Sequence, residues 1–521
     1  MDLEMTIADN TPVLVASGQW VERDLSPQSS PVFLAAKAAE IAFAKVGTSF
    51  DRQSIDALAL VRSFSDSVPF YRSPGGRSNN PPGSVAKRLG IHPEQLIYSE
   101  VGGDQPLQLL YEMALKIFSG EISCALIAGA EAIANEKHAT RTNLNLDWHE
   151  EIDGTFDDRG FGDPILSPAE MMNGLLSPIA FYSMIENRRA HLLQRKVRDH
   201  GRVMAEMLAP FSKVARDNPW SQFPQAFDHE SLYQESPANY RLTSCYTKRV
   251  VSQDAVNQSA AVLLTSVGLA KAKGIPESQW IFIDSFAEGK DDFLSVRPEP
   301  GASKVMTDVL DEVFANSETA LMDLSCIDLY SCFPCVVDVA ATALGLTHPS
   351  PLPLTITGGL PFFGGAGNNY VMHALAEMMT RLQKTIDGCG LVTANGGFMS
   401  KHCAVILSSH ASADSKIYHD RSSPRQPDQG LIEASDPEKG HIITSFVQYK
   451  KGSPHVAYMI GENEGQRFVA SSNDETVVKA MTDDSLIGEP VIVASKGLKH
   501  SFTLGNHQKV TRSSVDIQPV N

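Results

Sequence analysis

The sequence predicts an α/β fold built from two similar halves, with a small all-β module after them. Three observations carry this. Strand and helix patterns alternate from about residue 12 to 128, a second alternation runs from about 275 to 410, and short alternating strands follow a Ser-, Asp- and Pro-rich stretch at 411–430. At 521 residues the chain exceeds one compact core, and a length of roughly 100 to 200 residues per domain predicts about three domains.

The elements follow in order. PVLVASG (12–18) and IDALALVRS (55–63) are short apolar runs that read as buried strands. SPVFLAAKAAEIAFAKVG (30–47) is an amphipathic helix closed by Gly47, and ISCALIAGA (122–130) is a further strand. Between them, QLIYSEV (95–101) leads through GGDQPLQLL (102–110) into a helix. This rhythm predicts a parallel sheet covered by helices. From about 133 to 245 the rhythm breaks into long polar helical stretches such as 178–215, punctuated by NPWSQF (218–223), an excursion out of the sheet. AAVLLTS (260–266) returns to it.

The second alternation reads WIFIDSFAEG (280–289) as strand, 301–317 as helix and LSCIDLYSCF (324–333) as strand. VVDVAATALGL and NYVMHALAEMMTRLQ follow as helices, then GLVTANGG (390–397) and CAVILSS (403–409) as strands. Residues 411–430 read as a linker. HIITSFVQYK, HVAYMIGE, QRFVASS and EPVIVASKG, separated by Gly, Asn and Asp turns, then predict a β-barrel or sandwich over 431–521, an OB-like barrel among the options. The expected division is 1–268, 275–410, a linker at 411–430 and 431–521, with a domain inserted at about 133–245.

Composition excludes several classes of function. The formal charge of −17 works against a sequence-independent grip on nucleic acid or an anionic membrane. The aromatics Phe446, Tyr449, Tyr458 and Phe468, with Lys450 and Lys451, would be the only support for single-strand binding by the β module. No 18-residue apolar run occurs and the N-terminus is acidic, so a cytoplasmic location is expected, with no membrane or nucleic-acid partner. Seven cysteines, an odd number, do not suggest a disulfide framework. Cys332 and Cys335 have CxxC spacing without a second ligand pair, so packing is expected there and no metal.

Specific letters, in order, resemble the thiolase superfamily. SGEISCALIAGAEA (119–132) is similar to the family's helix, Gly and strand leading to a turn with Gly129 and Glu131 in register. NQSAAVLLTS (257–266) is similar to its DGAAA strand, and IDLYSCF (327–333) resembles the strand carrying an Asn-Glu-Ala-Phe or His-Asp-Cys-Phe motif. TGGLPFFGGAG (357–367) resembles the GG…GHP segment, and ANGGF (394–398) takes the place of a late Cys- or His-bearing loop. The resemblance covers roughly residues 10–410 and, with the β extension, is strongest to type-1 thiolase-like proteins, related to sterol-carrier-protein-type thiolases. It implies a duplicated five-layer αβαβα fold with an inserted loop domain, a homodimer, and acyltransferase chemistry on acyl-CoA of the acetyl-CoA acetyltransferase kind in lipid metabolism. Coenzyme A thioester would be a substrate or ligand, with no tightly bound cofactor.

The chemistry that the resemblance requires is altered. A thiolase uses a Cys nucleophile at a helix N-terminus, a His that activates it, and a second Cys or His as acid and base. Counting back from Gly120 places Gly103 at the nucleophile position, while aligning on the Gly of a Cys-x-Ser-Gly motif places Glu100 there. Gly365 stands for the GHP histidine, Tyr330 for the Asn or His that holds a catalytic water, and Asn395 for the late Cys or His. Losing a lone nucleophile costs on the order of a millionfold, so ordinary thiolysis is not expected.

Gly102 and Gly103 would form a tight strand-to-helix turn or present amides at the helix N-terminus. Cys332 is expected to pack in the core on the side of Tyr330. His402 and Lys401 read as solvated or capped loop residues, His373 as an ordinary helical residue, Asn368 and Asn369 as helix caps, and Asp104 as a complement to the helix dipole. Two readings stand. In one, the altered pocket binds or transforms an acyl thioester without covalent catalysis, using Tyr330, Asn395 and His402. In the other, the protein is a non-catalytic scaffold or partner subunit of a hetero-complex, with the β module mediating contacts.

Overall fold

A computed structural model describes residues 7–48, 50–346, 349–411, 418, 424–427, 429–483 and 485–505. The first half supplies β1 (Pro12–Val21), β2 (Ala57–Val61), β3 (Gln95–Tyr98), β4 (Cys124–Glu131), β5 (Asp157–Asp158) and β6 (Gln258–Ser266). They form one sheet in the order β1-β6-β4-β2-β3-β5. The second half supplies β7 (Phe282–Lys290), β8 (Cys326–Asp328), β9 (Cys389–Gly396) and β10 (Lys401–Ser408), in the order β7-β10-β9-β8. In each sheet the half's first strand pairs antiparallel with its last. That last strand pairs antiparallel with its other neighbour, which is joined by a parallel strand, β2 on β4 and β8 on β9. The duplication expected from pattern alone is therefore present in the topology.

The helices are α1 (Pro31–Val46), α2 (Pro81–Leu89), α3 (Gln105–Phe118), α4 (Ile133–Thr142), α5 (Pro168–Met172), α6 (Pro178–Leu192), α7 (Val197–Asp217), α8 (His229–Tyr233), α9 (Val267–Ala272), α10 (Lys304–Ala315), α11 (Pro334–Ala343) and α12 (Tyr370–Leu382). Period-2 alternation sorts β4 between two cores: Cys124, Leu126 and Ala128 pack with α1, whereas Ala125 and Ile127 pack with α3. Both α3 and α12 touch strands of the first and the second sheet, and α10 covers β7 and β10. The layers run α1, sheet, α3 with α12, sheet, α10 with α11, the five-layer αβαβα arrangement. Helices α4–α8 are the inserted excursion.

The strand expected over 324–333 is limited to Cys326–Asp328. Asp328 is fully buried and its Oδ2 accepts from the Ile356 and Thr357 amides at 2.9 and 3.0 Å and from both threonine hydroxyls, Thr355 and Thr357, at 3.0 Å. That carboxylate ties the chain to the 354–357 segment, so residues 329–333 leave the ladder. Most of the expected linker at 411–430 lies outside the described residues. Within it Arg425 binds Glu312 Oε2 at 2.6 Å and the Tyr418 ring stacks on Phe118 at 4.9 Å, so these residues pack on the body.

The C-terminal module contains β11 (Ile432–Glu433), β12 (Lys439–Lys450), β13 (Ser453–Asn463), β14 (Gln466–Ser472), β15 (Pro490–Lys496) and β16 (Lys499–Leu504). The order β14-β13-β12-β15-β16 closes through a parallel contact of Ser471 with Ser501, giving a five-stranded barrel. Helix α13 (Glu475–Asp483), which the strand pattern did not suggest, bridges β14 and β15. Asp474 Oδ1 caps it at the Thr476 and Val477 amides, at 2.8 and 3.1 Å. Among the described residues no helix is long and apolar enough to cross a membrane.

Candidate functional site

The turn after β3, the segment after β8 and the end of β9 meet between the two sheets, and this brings three of the four altered positions together. A Cβ built on Gly103 would lie 2.5 Å from the Tyr330 hydroxyl and 2.5 Å from the Asn395 carbonyl oxygen. The glycine is therefore what lets the start of α3 approach the other two, and no side chain fits at 103. Gly102 is equally constrained, since its Cβ would fall 2.1 Å from Asp104 Oδ1. The tight-turn expectation holds for both.

Tyr330 is buried, its backbone N–H donating to Thr393 Oγ1 at 2.9 Å and its ring set edge-on to Tyr370. Asn395 donates from Nδ2 to the Tyr182 hydroxyl at 2.8 Å, with Cys332 Sγ at 3.9 Å. Tyr182 comes from α6, far away in sequence. Its hydroxyl also accepts the Met399 amide at 3.2 Å, and its ring stacks on Phe333 with centroids 4.3 Å apart. Sequence reasoning missed this residue, and no local signal identifies an aromatic in the inserted domain as part of the centre. The cavity left among Tyr330, Val336, Asn395, His402, Met306 and Leu310 is about 10 Å³.

The electrostatics match a closed space. Burial pushes the Cys332 thiol up to about 12, so it holds no thiolate at neutral pH. Burial, with the Cys332 thiol beside it, also raises Tyr182 well above the ordinary phenol value. Cys332 packs near Tyr330 as expected, although on the segment after the strand.

His402 and Lys401 are not solvated loop residues. They begin β10, His402 is 2% exposed and Lys401 is 7% exposed, because the second sheet is covered on both faces. His402 sits opposite Asn395 in the β9–β10 register, Nε2 lies 3.2 Å from Ser303 Oγ, and burial lowers its pKa to about 4. Lys401 Nζ is 3.8 Å from Glu100 Oε2. Glu100, the other candidate for the nucleophile position, instead faces Lys401 and lies against Gly162. Asp104 is fully buried with Oδ1 unpartnered, and burial raises its pKa against the pull of Lys401.

Gly365 lies apart from the trio. A Cβ there would fall 2.0 Å from Ser252 Oγ, so a histidine at this position has no room. The cap expectation for Asn368 and Asn369 is overturned: Asn368 Nδ2 donates to the Arg62 carbonyl and Ser67 Oγ, both at 2.9 Å, and Asn369 makes no side-chain cap to α12. His373 is inside α12 and buried, with Nδ1 2.8 Å from Gln19 Oε1. In the barrel, Phe446 and Phe468 are 2% exposed, so they offer no stacking face for nucleic acid.

No family model and no curated protein matches the sequence. Among solved structures, the chain is similar to a monomeric SCP2-thiolase-like protein type 1 from Mycobacterium smegmatis, with 30% identity and a TM-score of 0.80 over 96% of this chain and 100% of the other. An Ltp2–ChsH2(DUF35) aldolase matches at 18% identity and a TM-score of 0.56, over 77% of this chain and 98% of its own. The dimeric peroxisomal thiolase of Saccharomyces cerevisiae matches at 14% identity and 0.57, over 77% and 98%. The last two show the fold alone.

Proposed function

The chain belongs to the SCP2-thiolase-like protein type 1 family, and on that premise we propose that it is a non-thiolytic thiolase-like protein, a scaffold or partner subunit with a closed reaction centre. One observation supports this above others. The Tyr330 hydroxyl and the Asn395 carbonyl each lie 2.5 Å from where a Gly103 side chain would begin, and the Asn395 side chain is itself engaged, its Nδ2 donating at 2.8 Å to the Tyr182 hydroxyl, which also accepts the Met399 amide at 3.2 Å. The cavity beside Tyr330, Asn395 and His402, about 10 Å³, barely admits one water, for which roughly 10–15 Å³ is needed. An acyl thioester does not fit.

A second reading, a protein that binds an acyl thioester without thiolysis, draws on the polar groups Tyr330, Asn395 and His402 and on the unpartnered Asp104 Oδ1 beside Gly103. Thermal shift of the purified protein with coenzyme A, acetyl-CoA and longer acyl-CoAs separates the two, because a ligand at about one hundred times its Kd adds about 2.7 kcal/mol. The closed-centre reading expects no shift that depends on acyl chain and no thiolysis of acetoacetyl-CoA above the uncatalysed rate. A chain-dependent shift would transfer the assignment to thioester binding.

A monomer belongs to this reading in place of the expected homodimer. The edge strand β3 is covered by β5 of the same chain, so its backbone is not free to pair with a second copy, and the Mycobacterium smegmatis relative is described as monomeric. All seven cysteines are free thiols, which fits a reducing cytoplasm.

A further inference from the structure

The oxygen of Tyr182 accepts two hydrogen bonds, as a substrate oxygen would, while its own proton faces the Gly397 carbonyl at 3.5 Å. Two N–H groups from different parts of the second half converge on it, Asn395 Nδ2 from the end of β9 and the amide of Met399 from the β9–β10 turn. Met399 has φ 57°, a left-handed conformation that non-glycine residues seldom adopt, and its side chain is fully buried. Such a residue persists where its surroundings hold it, and here the conformation accompanies an amide directed at the centre. Two donors converging on one oxygen in a water-poor space is the arrangement that stabilises a carbonyl oxygen.

Tyr182 is in turn fixed from behind. Helix α6 is buried on both sides, with residues 180–187 all covered. On the face away from the centre it meets β12 of the barrel. A β-bulge between Ile442 and Thr444 shifts the register there, and Thr444 Oγ1 donates to the Met184 carbonyl at 2.5 Å while Asn187 Nδ2 donates to the Ser445 carbonyl at 2.6 Å. A second route reaches the same tyrosine. The Ser244 amide donates to the Val447 carbonyl at 2.8 Å, the Tyr449 amide donates to the Leu242 carbonyl at 3.0 Å, and Tyr246, on the same 242–246 segment, has its hydroxyl 3.0 Å from the Tyr182 carbonyl and 2.7 Å from Glu186 Oε2 one turn along α6.

We propose that Asn395 Nδ2 and the Met399 amide form a latent carbonyl-binding site, that Tyr182 fills it with its own phenol oxygen, and that β12 of the C-terminal barrel locks the tyrosine there. The ligand class is a small molecule with an acceptor oxygen on an apolar or aromatic body, since the Tyr182 ring that it would replace stacks on Phe333, and Cys332 lies 3.9 Å from Asn395 Nδ2. Loosening the barrel from α6 would uncover the site. This inference rests on the closed-centre reading, and it assigns the barrel a role: setting whether the centre is closed.

Two measurements test it. In Tyr182→Ala, acetophenone and its oxygen-free counterpart ethylbenzene are titrated by thermal shift. Acetophenone is expected to bind roughly tenfold more tightly, the weight of one hydrogen-bonded oxygen. Equal affinities, or no binding of either, overturn the carbonyl site. For the lock, native-state labelling of Cys332 by a thiol reagent is followed by mass spectrometry, with Cys124, buried in the first sheet, as the internal reference.

Thr444→Val keeps the side-chain volume while removing the donor, and is expected to speed labelling of Cys332 by roughly tenfold, the weight of one lost hydrogen bond, with Cys124 unchanged. If Cys332 stays at the wild-type rate in Thr444→Val but is labelled in Tyr182→Ala, the lock is wrong and the closed centre stands. If Cys332 stays protected in Tyr182→Ala as well, the closed-centre reading fails with it. A parallel rise at Cys332 and Cys124 signals global loosening and counts against the lock.

Discussion

Gly103 is the residue on which the proposed non-thiolytic reading turns, and it is fixed by its neighbours. With the Tyr330 hydroxyl and the Asn395 carbonyl each 2.5 Å from where a Cβ would sit, Gly103→Cys cannot restore a nucleophile without moving α3. We expect that variant to lose about 1–3 kcal/mol in denaturant titrations, the usual penalty for forcing atoms into a packed core, and to show no thiolysis. A Gly103→Cys protein as stable as wild type would show that the approach is looser than described.

The buried histidine makes a second prediction at this scale. His402 has its pKa lowered by burial to about 4, against about 6.5 in the unfolded chain. A base depressed on folding leaves the unfolded state holding more protons, so its contribution to stability is complete above about pH 6.5 and is lost as pH falls toward 4. Buried acids with raised pKa values, such as Asp104, have the opposite slope. The variant difference isolates the histidine: His402→Gln should lose less stability than wild type between pH 6.5 and 4, measured by denaturant midpoints. Equal losses would place His402 in contact with solvent.

The sequence could mark Gly103, Tyr330 and Asn395 as positions to examine because a departure from a motif can be read from letters, and the structure brings these three together. The burial of Lys401 and His402 was not legible, because two consecutive polar residues resemble a loop unless the sheet around them is known to be covered on both faces.

At the scale of elements, the proposed monomer turns on the edge of the first sheet. β5 is two residues long, yet it shields β3. Arg159 holds it, donating its amide to the Tyr98 carbonyl at 3.1 Å and its guanidinium to both oxygens of Glu112 on α3, at 2.7 and 2.8 Å. Arg159→Glu would place a carboxylate against Glu112 and lift β5 from the edge. The expected outcome is a concentration-dependent rise in dimer or larger species by light scattering after gel filtration. A variant that stays monomeric at every concentration would mean that the covered edge is not what keeps the chains apart.

A two-residue strand leaves almost no trace in hydrophobic periodicity, which explains why β5 was invisible in the sequence while β1, β4 and β6 were plain. α13 was hidden for a related reason. Its nine residues follow three strand-like runs and precede a fourth, and only the Asp474 cap marks its start.

Across the whole molecule, the sequence shows separate modules where the structure shows one packed body. Periodicity assigns a face to each strand but does not say what covers it. Phe446, Ile460 and Val469 of the barrel belong to the same apolar core as α3, α12 and the second sheet. Polar contacts follow the same seam: Asn173 donates to the Leu498 carbonyl at 2.7 Å and accepts the His500 amide at 2.8 Å, and Ser167 donates to Glu433 at 2.8 Å. Removing the barrel would therefore expose apolar surface on α6 and remove the hydrogen bonds that Thr444 makes to the Met184 carbonyl and that Asn187 makes to the Ser445 carbonyl, each worth about 0.5–1.5 kcal/mol.

A chain ended at residue 430 is expected to be poorly folded or to aggregate, and the full chain to unfold in one cooperative transition when fluorescence and far-ultraviolet circular dichroism are followed together. A truncated chain with the melting temperature of the whole protein, or two resolved transitions in the full chain, would show instead that the barrel is an independent unit. In that case its contacts with α6 would lack the strength to hold Tyr182 in place.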